Sequence, residues 1–385
     1  MIALDNLDTY KQYDPDGMLI HLHKLPQQIQ EAWEKAHAFA LPTDFKDIDK
    51  IVICGMGGSA IGGELVRSLA SNLSKPIIFV LRDYDLPAFV DSKTLVIASS
   101  YSGNTEETLS AFTRSLDIPC KKLAITTDGI LKNLAQEKGV PVFTIDYSSQ
   151  PRAALGYSFI PPLALLDKLG FLEGKSAHPS LPVPGAEALS VVKRKQSNRA
   201  TQAWPASVQG MAQMLQSLLG KLAETVATPS NPAKHLAQKL FGKLIVIYGA
   251  GILSPVAQRW KGQFNENSKA WAFYETFSEL NHNAVVGYEF PQEMKHKVYV
   301  VLLRCPSLHP RILARYQITS EILEKAGVEH EIIDSQGQGK LTQMMSLVFL
   351  GDWVSYYLAM LYQTDPTPVK TIEYLKKRLG KIEFH

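Results

Sequence analysis

Short apolar runs that end in a glycine- or hydroxyl-rich turn and hand over to a helical stretch recur along this chain. "DKIVICGMGGSAIGGELVRSLASNL" (49–73) reads as strand, glycine turn, helix, and "KPIIFVLRDYDLP" (75–87) as a strand with its exit loop. "KTLVIASSYSGNTEETLSAFTRSL" (93–116), "KKLAITTDGILKNLAQEKG" (121–139) and "PVFTIDYSS" (141–149) continue the alternation. Nearly continuous apolar strands separated by helices dictate a parallel sheet covered on both faces. The same pattern resumes in "GKLIVIYGAGILSPVAQRWKGQFNENS", "KAWAFYETF", "HKVYVVLLRC" and "VEHEIID" between 242 and 334. Ile53-Cys54-Gly55-Met56-Gly57 is echoed by Ile247-Tyr248-Gly249-Ala250-Gly251, each after an apolar run and before a helix. The echo points to two α/β units in tandem rather than one continuous sheet. A chain of 385 residues also exceeds what one core organises.

The expected division is 1–175 (N-terminal helices and a first α/β unit), 176–240 (linker and helical insertion) and 241–385 (second unit with C-terminal helices). "LPQQIQEAWEKAHAF" carries apolar residues at helical spacing, and two more helical stretches close the chain near 340–362 and 367–379. "KSAHPSLPVPGAEA" is proline-rich and reads as a linker. The insertion near 199–232 is helical by pattern and suggests no chemistry.

The apolar fraction of 45% and charged fraction of 20% are those of an ordinary globular protein. A net charge of +3 and the brief basic run "VKRKQSNR" (192–199), read as a solvated helix face, give no nucleic-acid footprint. No apolar run approaches the ~18 residues of a membrane span, so no membrane association is expected. The opening "MIALDNLDTYKQYDPDG" lacks the regions of a signal peptide. Cys54, Cys120 and Cys305 are widely spaced with no CxxC pair, as reduced thiols of a cytoplasmic protein would be. "HLH" at 21–23 has no cysteine or carboxylate pair nearby, so no metal site is expected there.

The turns carry the chemical signal. Gly55, Gly57, Gly58 and Ser59 lie where a strand meets a helix, and glycines let backbone N–H groups approach an anion at the helix start. "GMGGSA" also fits the dinucleotide pattern G-x-G-x-x-A, with Asp83 as the ribose acid. A second loop, "SSYSGNTEET" (99–108), adds Ser100, Ser102 and Thr105 at a neighbouring strand end. Helix capping explains one or two of these hydroxyls but not the set. Neither loop contains GK[ST], which excludes a nucleoside-triphosphate P-loop. Hydroxyls converging from two strand ends suit the three oxygens of one phosphate monoester better than a dinucleotide.

These two loops together resemble the SIS (sugar isomerase) domain. "PRAALGYSF" (151–159), "FNENSK" (264–269), "NHN" (281–283) and "DPTPVKTIEYLKKRL" (365–379) narrow the resemblance, along nearly the whole chain, to the bifunctional phosphoglucose/phosphomannose isomerases. The resemblance implies an α/β fold of two tandem SIS domains, each a flavodoxin-like parallel sheet flanked by helices. It implies an aldose–ketose isomerase acting on sugar 6-phosphates through an enediol, without metal or other cofactor. By the same resemblance Glu266 is the base and Arg152 stabilises the enediolate. His282 opens the sugar ring from the partner subunit of a homodimer, and Lys376 (or adjacent Lys377) assists it. Gly58, Ser59, Ser100, Ser102 and Thr105 hold the phosphate. Two other functions compete: a non-catalytic phosphosugar-binding regulator, and a dinucleotide enzyme built on GMGGSA. "YGAGILSPVA" lacks the phosphate hydroxyls and reads as a structural turn.

Overall fold

In a computed structural model of the chain, residues 3–71, 76–173 and 204–382 are described. The expected linker and the basic run at 192–199 lie outside them, as does the start of the insertion. The described chain opens with α1 (Asp8–Tyr13) and α2 (Met18–Ala38). The alternating segment follows as β1 (Lys50–Cys54), α3 (Gly57–Leu69), β2 (Ile77–Leu81), β3 (Thr94–Ser99), α4 (Glu106–Leu116), β4 (Lys121–Thr126), α5 (Gly129–Glu137), β5 (Val142–Thr144) and α6 (Leu155–Lys168). Beyond it come α7 (Trp204–Leu222), α8 (Pro232–Leu240), β6 (Leu244–Ala250), α9 (Ser254–Glu266), β7 (Ala272–Phe277), β8 (Val298–Arg304), α10 (Pro310–Ala326), β9 (Glu329–Asp334), α11 (Lys340–Leu361) and α12 (Lys370–Leu379).

Among the described residues the strands form two sheets, ordered β2-β1-β3-β4-β5 and β7-β6-β8-β9. Every pairing is parallel; Ile53 faces Val80 on one side and Ile97 on the other. The first order is the flavodoxin-like arrangement expected from the strand–helix alternation. All six residues of β3 are buried, the mark of a central strand covered on both faces. Helix α3 packs closely on α6 because Gly62 has no side chain to strike the Ser158 carbonyl. Cys54 and Cys120 are buried beside this sheet, and burial pushes the Cys54 thiol up to about 12.

The chain divides into two compact units, Gln27–Ala212 around the first sheet and Met1–Pro26 with Gln213–His385 around the second. Residues 1–26, grouped above with the first sheet, therefore belong with the second. Their polar contacts show why. The carboxylate of Asp14 accepts from the amides of Met18 and Leu19 and from the Tyr356 hydroxyl. The fully buried Lys234 ammonium meets the Asp5 carboxylate and the Glu224 carbonyl. His23 of the "HLH" triplet bonds Glu224 at 2.8 Å.

The core of the second unit is α11, packed on α8 and α9. Its 22 residues and window mean hydropathy of 1.4 are sufficient to cross a membrane by length and composition, which corrects the expectation that no apolar run nears that length. The same window is 94% buried inside the protein, as a core helix would be. Gly351 lies against the Trp260 indole, whose Nε1 donates to the Leu347 carbonyl at 2.8 Å. In the adjacent positions, Arg259 and Asp352 form a buried double hydrogen bond of 3.1 and 2.8 Å, and Gln263 donates to the same carboxylate at 2.8 Å.

Candidate active site

In the first unit β1 and β3 are neighbours, yet the chain leaves β1 for β2 on the opposite side. This is the switch point of an open parallel sheet, where the loops beyond the carboxyl ends of two strands diverge and leave a crevice. Both hydroxyl-bearing loops leave from those two strand ends. Gly58 and Ser59 form the first turn of α3, with Ser59 buried. Ser100 is buried and its hydroxyl lies 2.9 Å from that of Thr105, the residue before α4. Ser102 is exposed at the loop tip, its oxygen accepting from the Asn104 amide at 3.3 Å. Neither α3 nor α4 has a side chain capping its first amides. The hydroxyls are thus not spent on helix caps, and two helix starts add their partial positive charge at one crevice.

Arg152 is brought to the same place. Its backbone forms a short 3-10 turn, Pro151–Ala153, and its side chain is only 3% exposed. A Cβ at Gly58 would lie 2.8 Å from the Pro151 carbonyl oxygen and 3.1 Å from the Arg152 nitrogen. Glycine at 58 is therefore the condition for seating the arginine turn on the first loop. Further residues, not expected from the sequence, hold that turn. The Tyr101 hydroxyl donates to the Tyr147 carbonyl and accepts from the Ser149 amide, and Gln28 donates to the Ala153 carbonyl at 3.0 Å. Tyr101 stands inside "SYSGNT", so the motif itself held that signal. Gln28 comes from a distant helix, and nothing local marked it.

The second unit carries the other candidates. Glu266 is the last residue of α9 and is half-buried. His282 ends a 3-10 turn, Glu279–His282, beyond β7 and is exposed. Its flanking asparagines bond elsewhere: Asn281 to Thr319, and Asn283 to Glu279 and the Ala284 amide. Helix α9 runs back from the carboxyl end of β6 to the amino end of β7. Glu266 consequently lies toward the amino end of β7 and His282 beyond its carboxyl end, about 20 Å apart along the six residues of the strand. Within one chain these two candidates are not brought together. Lys376 and Lys377 are both exposed on α12, where adjacent side chains point about 100° apart.

The edge strand β7, the residue before it and the segment after it expose a series of large apolar side chains. Trp271 is 72%, Phe273 43%, Val286 77% and Phe290 72% exposed. Helix α12 likewise buries none of its residues and exposes Ile372, Leu375 and Leu379 at helical spacing. Among the described residues no group of three or more His, Cys, Asp or Glu is arranged to hold a metal ion.

Two parallel α/β units, the first with paired hydroxyl loops at its switch point, define a protein of the SIS class. Residues 229–379 match the model of the bacterial phospho-glucose isomerase C-terminal SIS domain. A bifunctional phosphoglucose/phosphomannose isomerase of Caldicellulosiruptor bescii is 44% identical over 95% of this chain and all of its own length. One from Aquifex aeolicus is 34% identical over 92% of this chain and 99% of its own. A solved structure of a glucose-6-phosphate isomerase like protein from Thermus thermophilus superposes with a TM-score of 0.60 at 19% identity, over 96% of this chain and 99% of that one. The chain belongs to the bifunctional phosphoglucose/phosphomannose isomerase family.

Proposed function

We propose that this protein interconverts glucose 6-phosphate, and mannose 6-phosphate as well, with fructose 6-phosphate by proton transfer through an enediol. The observation that carries the reading is the seating of Arg152 on the Gly58–Ser59 loop beside Ser100 and Thr105. It supports an anchored phosphate next to a permanent positive charge. Ser59, Ser100, Ser102 and Thr105 donate hydroxyls to the phosphate, and the Gly58 backbone and the starts of α3 and α4 complete its cradle.

With the phosphate fixed, Glu266 takes the proton from C2 of the open-chain aldose and returns it to C1, while the hydroxyl proton passes from O2 to O1 of the enediol. A carboxylate suits this work because it reaches both carbons by a small rotation. Arg152 holds the negative charge that develops on the enediolate oxygens. That supply of charge is what a metal gives other isomerases, so the reading needs no metal, and activity should survive a chelator. His282 exchanges a proton with the ring oxygen. Lys376 assists that step. The enzyme works in the cytoplasm on soluble sugar phosphates.

The separation of Glu266 from His282 within one chain favours a homodimer in which each site takes its histidine from the other subunit. The exposed apolar side chains of β7, the residue before it and the segment after it are what such a contact would cover. A mixed-chain experiment tests this. A chain carrying Glu266→Gln and one carrying His282→Ala are each inactive alone. In a mixed dimer one of the two sites holds both native residues, so co-expression should restore isomerase activity. No restoration with mixed dimers isolated through two tags would refute the sharing.

Gly58→Ala supplies a second test. The added methyl meets backbone atoms of Pro151 and Arg152, not a flexible side chain, so the arginine turn has to move. With the positive charge displaced by ~1 Å, kcat/KM should fall by about 100-fold while the protein stays folded. Isomerisation at the native rate would separate Arg152 from the chemistry.

A further inference from the structure

The "ENSK" turn contains a lysine to which the chemistry above gives no work. We infer that Lys269 is a positioning residue for Glu266: its ammonium ties the end of α9 to the segment leading into α12. This inference rests on the reading of Glu266 as the base. The Lys269 backbone is left-handed, with φ +54. Glycine adopts that conformation without steric cost and lysine does not, so the side chain has to give something in return. What it gives is two hydrogen bonds, to the Glu266 carbonyl at 2.6 Å and to the Pro366 carbonyl at 3.2 Å.

A helix ends with carbonyls that lack intrahelical partners, and Lys269 satisfies the one that belongs to the base. Pro366 precedes α12 by four residues, so the same ammonium joins the chain that carries Glu266 to the chain that carries Lys376. Every other polar side chain of the turn is fixed as well. Asn265 donates to the Ala270 carbonyl at 2.9 Å, Asn267 to the Ser355 hydroxyl at 3.0 Å and Ser268 to the Ser355 carbonyl at 2.6 Å. Ser355 is in turn held by the Asp352 carbonyl at 2.8 Å. The backbone from which the carboxylate projects is thereby fixed from both sides of the turn. A base that must reach two neighbouring carbons in turn needs that fixity, because a small displacement favours one carbon over the other.

Lys269→Gly separates this role from simple stability, since it removes the tie and the backbone strain together. The melting temperature should not fall. Turnover should fall by about 10- to 100-fold, with KM within about twofold of native. The deuterium isotope effect with 2-deuterated glucose 6-phosphate should rise, because a misplaced carboxylate makes the C–H step more limiting. Lys269→Arg, which keeps the reach and the donors, should recover most of the turnover, whereas Lys269→Met should not. Native turnover and isotope effect in Lys269→Gly would overturn the inference. So would a loss of turnover that follows the folded fraction with the isotope effect unchanged, or a rise in KM alone. Glu266→Gln discriminates the two levels. If it remains active, the base assignment itself is wrong; if it is dead while Lys269→Gly is native, only the positioning role is.

Discussion

Glu266→Gln should turn over sugar phosphate about 10³- to 10⁴-fold more slowly than the native enzyme, a barrier increase of about 4 to 5.5 kcal/mol. The amide is nearly the same size as the carboxylate and leaves the buried contacts of α9 in place. It has no basic oxygen to accept the C2 proton. Binding should survive, because the loops proposed to hold the phosphate, and Arg152, lie on the other compact unit of the chain. Coupled assays with glucose 6-phosphate and mannose 6-phosphate, paired with calorimetric titration of the inactive variant, read both quantities. A variant that binds and also isomerises at near-native rate would remove Glu266 from the mechanism. A native protein that binds and isomerises neither sugar would leave a phosphosugar-sensing module in place of an enzyme.

Asp352→Ala should cost about 3–5 kcal/mol of stability. Arg259 is 5% exposed and Asp352 4%, so removing the carboxylate takes its countercharge and two hydrogen bonds from a buried guanidinium. Against a total of about 5–15 kcal/mol, that loss brings the unit near its unfolding threshold. Urea unfolding followed by circular dichroism measures it. The double replacement Arg259→Met with Asp352→Leu is the informative control, because an apolar pair of similar volume restores packing without a buried charge. It should recover most of the loss. If the single and double variants are equally unstable, the defect lies in packing around α9 and not in the lost ion pair.

The strand–helix alternation was readable because parallel strands buried on both faces are nearly uniform in apolar residues, and the turns between them are marked by glycine. β1, β3, β6 and β8 all fall where apolar runs placed them. The two glycine- and hydroxyl-bearing loops were readable for the same reason: each lies within a few residues of its strand. What the sequence did not reveal is tertiary. Residues 1–26 join the second sheet through Asp14 and Asp5, whose partners Tyr356 and Lys234 lie more than 200 residues away. Helix α11 is apolar on all sides because every side of it is covered, and an isolated string cannot distinguish that from a membrane helix. Lys269 drew no notice beyond its motif, since a left-handed backbone at a non-glycine residue leaves no trace in composition.

The placement of Glu266 and His282 toward opposite ends of β7 has a consequence for how the catalyst behaves in solution. If each site takes its histidine from the other subunit, as proposed, an isolated copy holds two half-sites and no whole one. Specific activity would then depend on how concentrated the protein is: dilution that separates the copies would extinguish the reaction even though each chain stays folded. Weakening the proposed contact at Trp271 or Phe273 would act on rate in the same way as removing a reacting group.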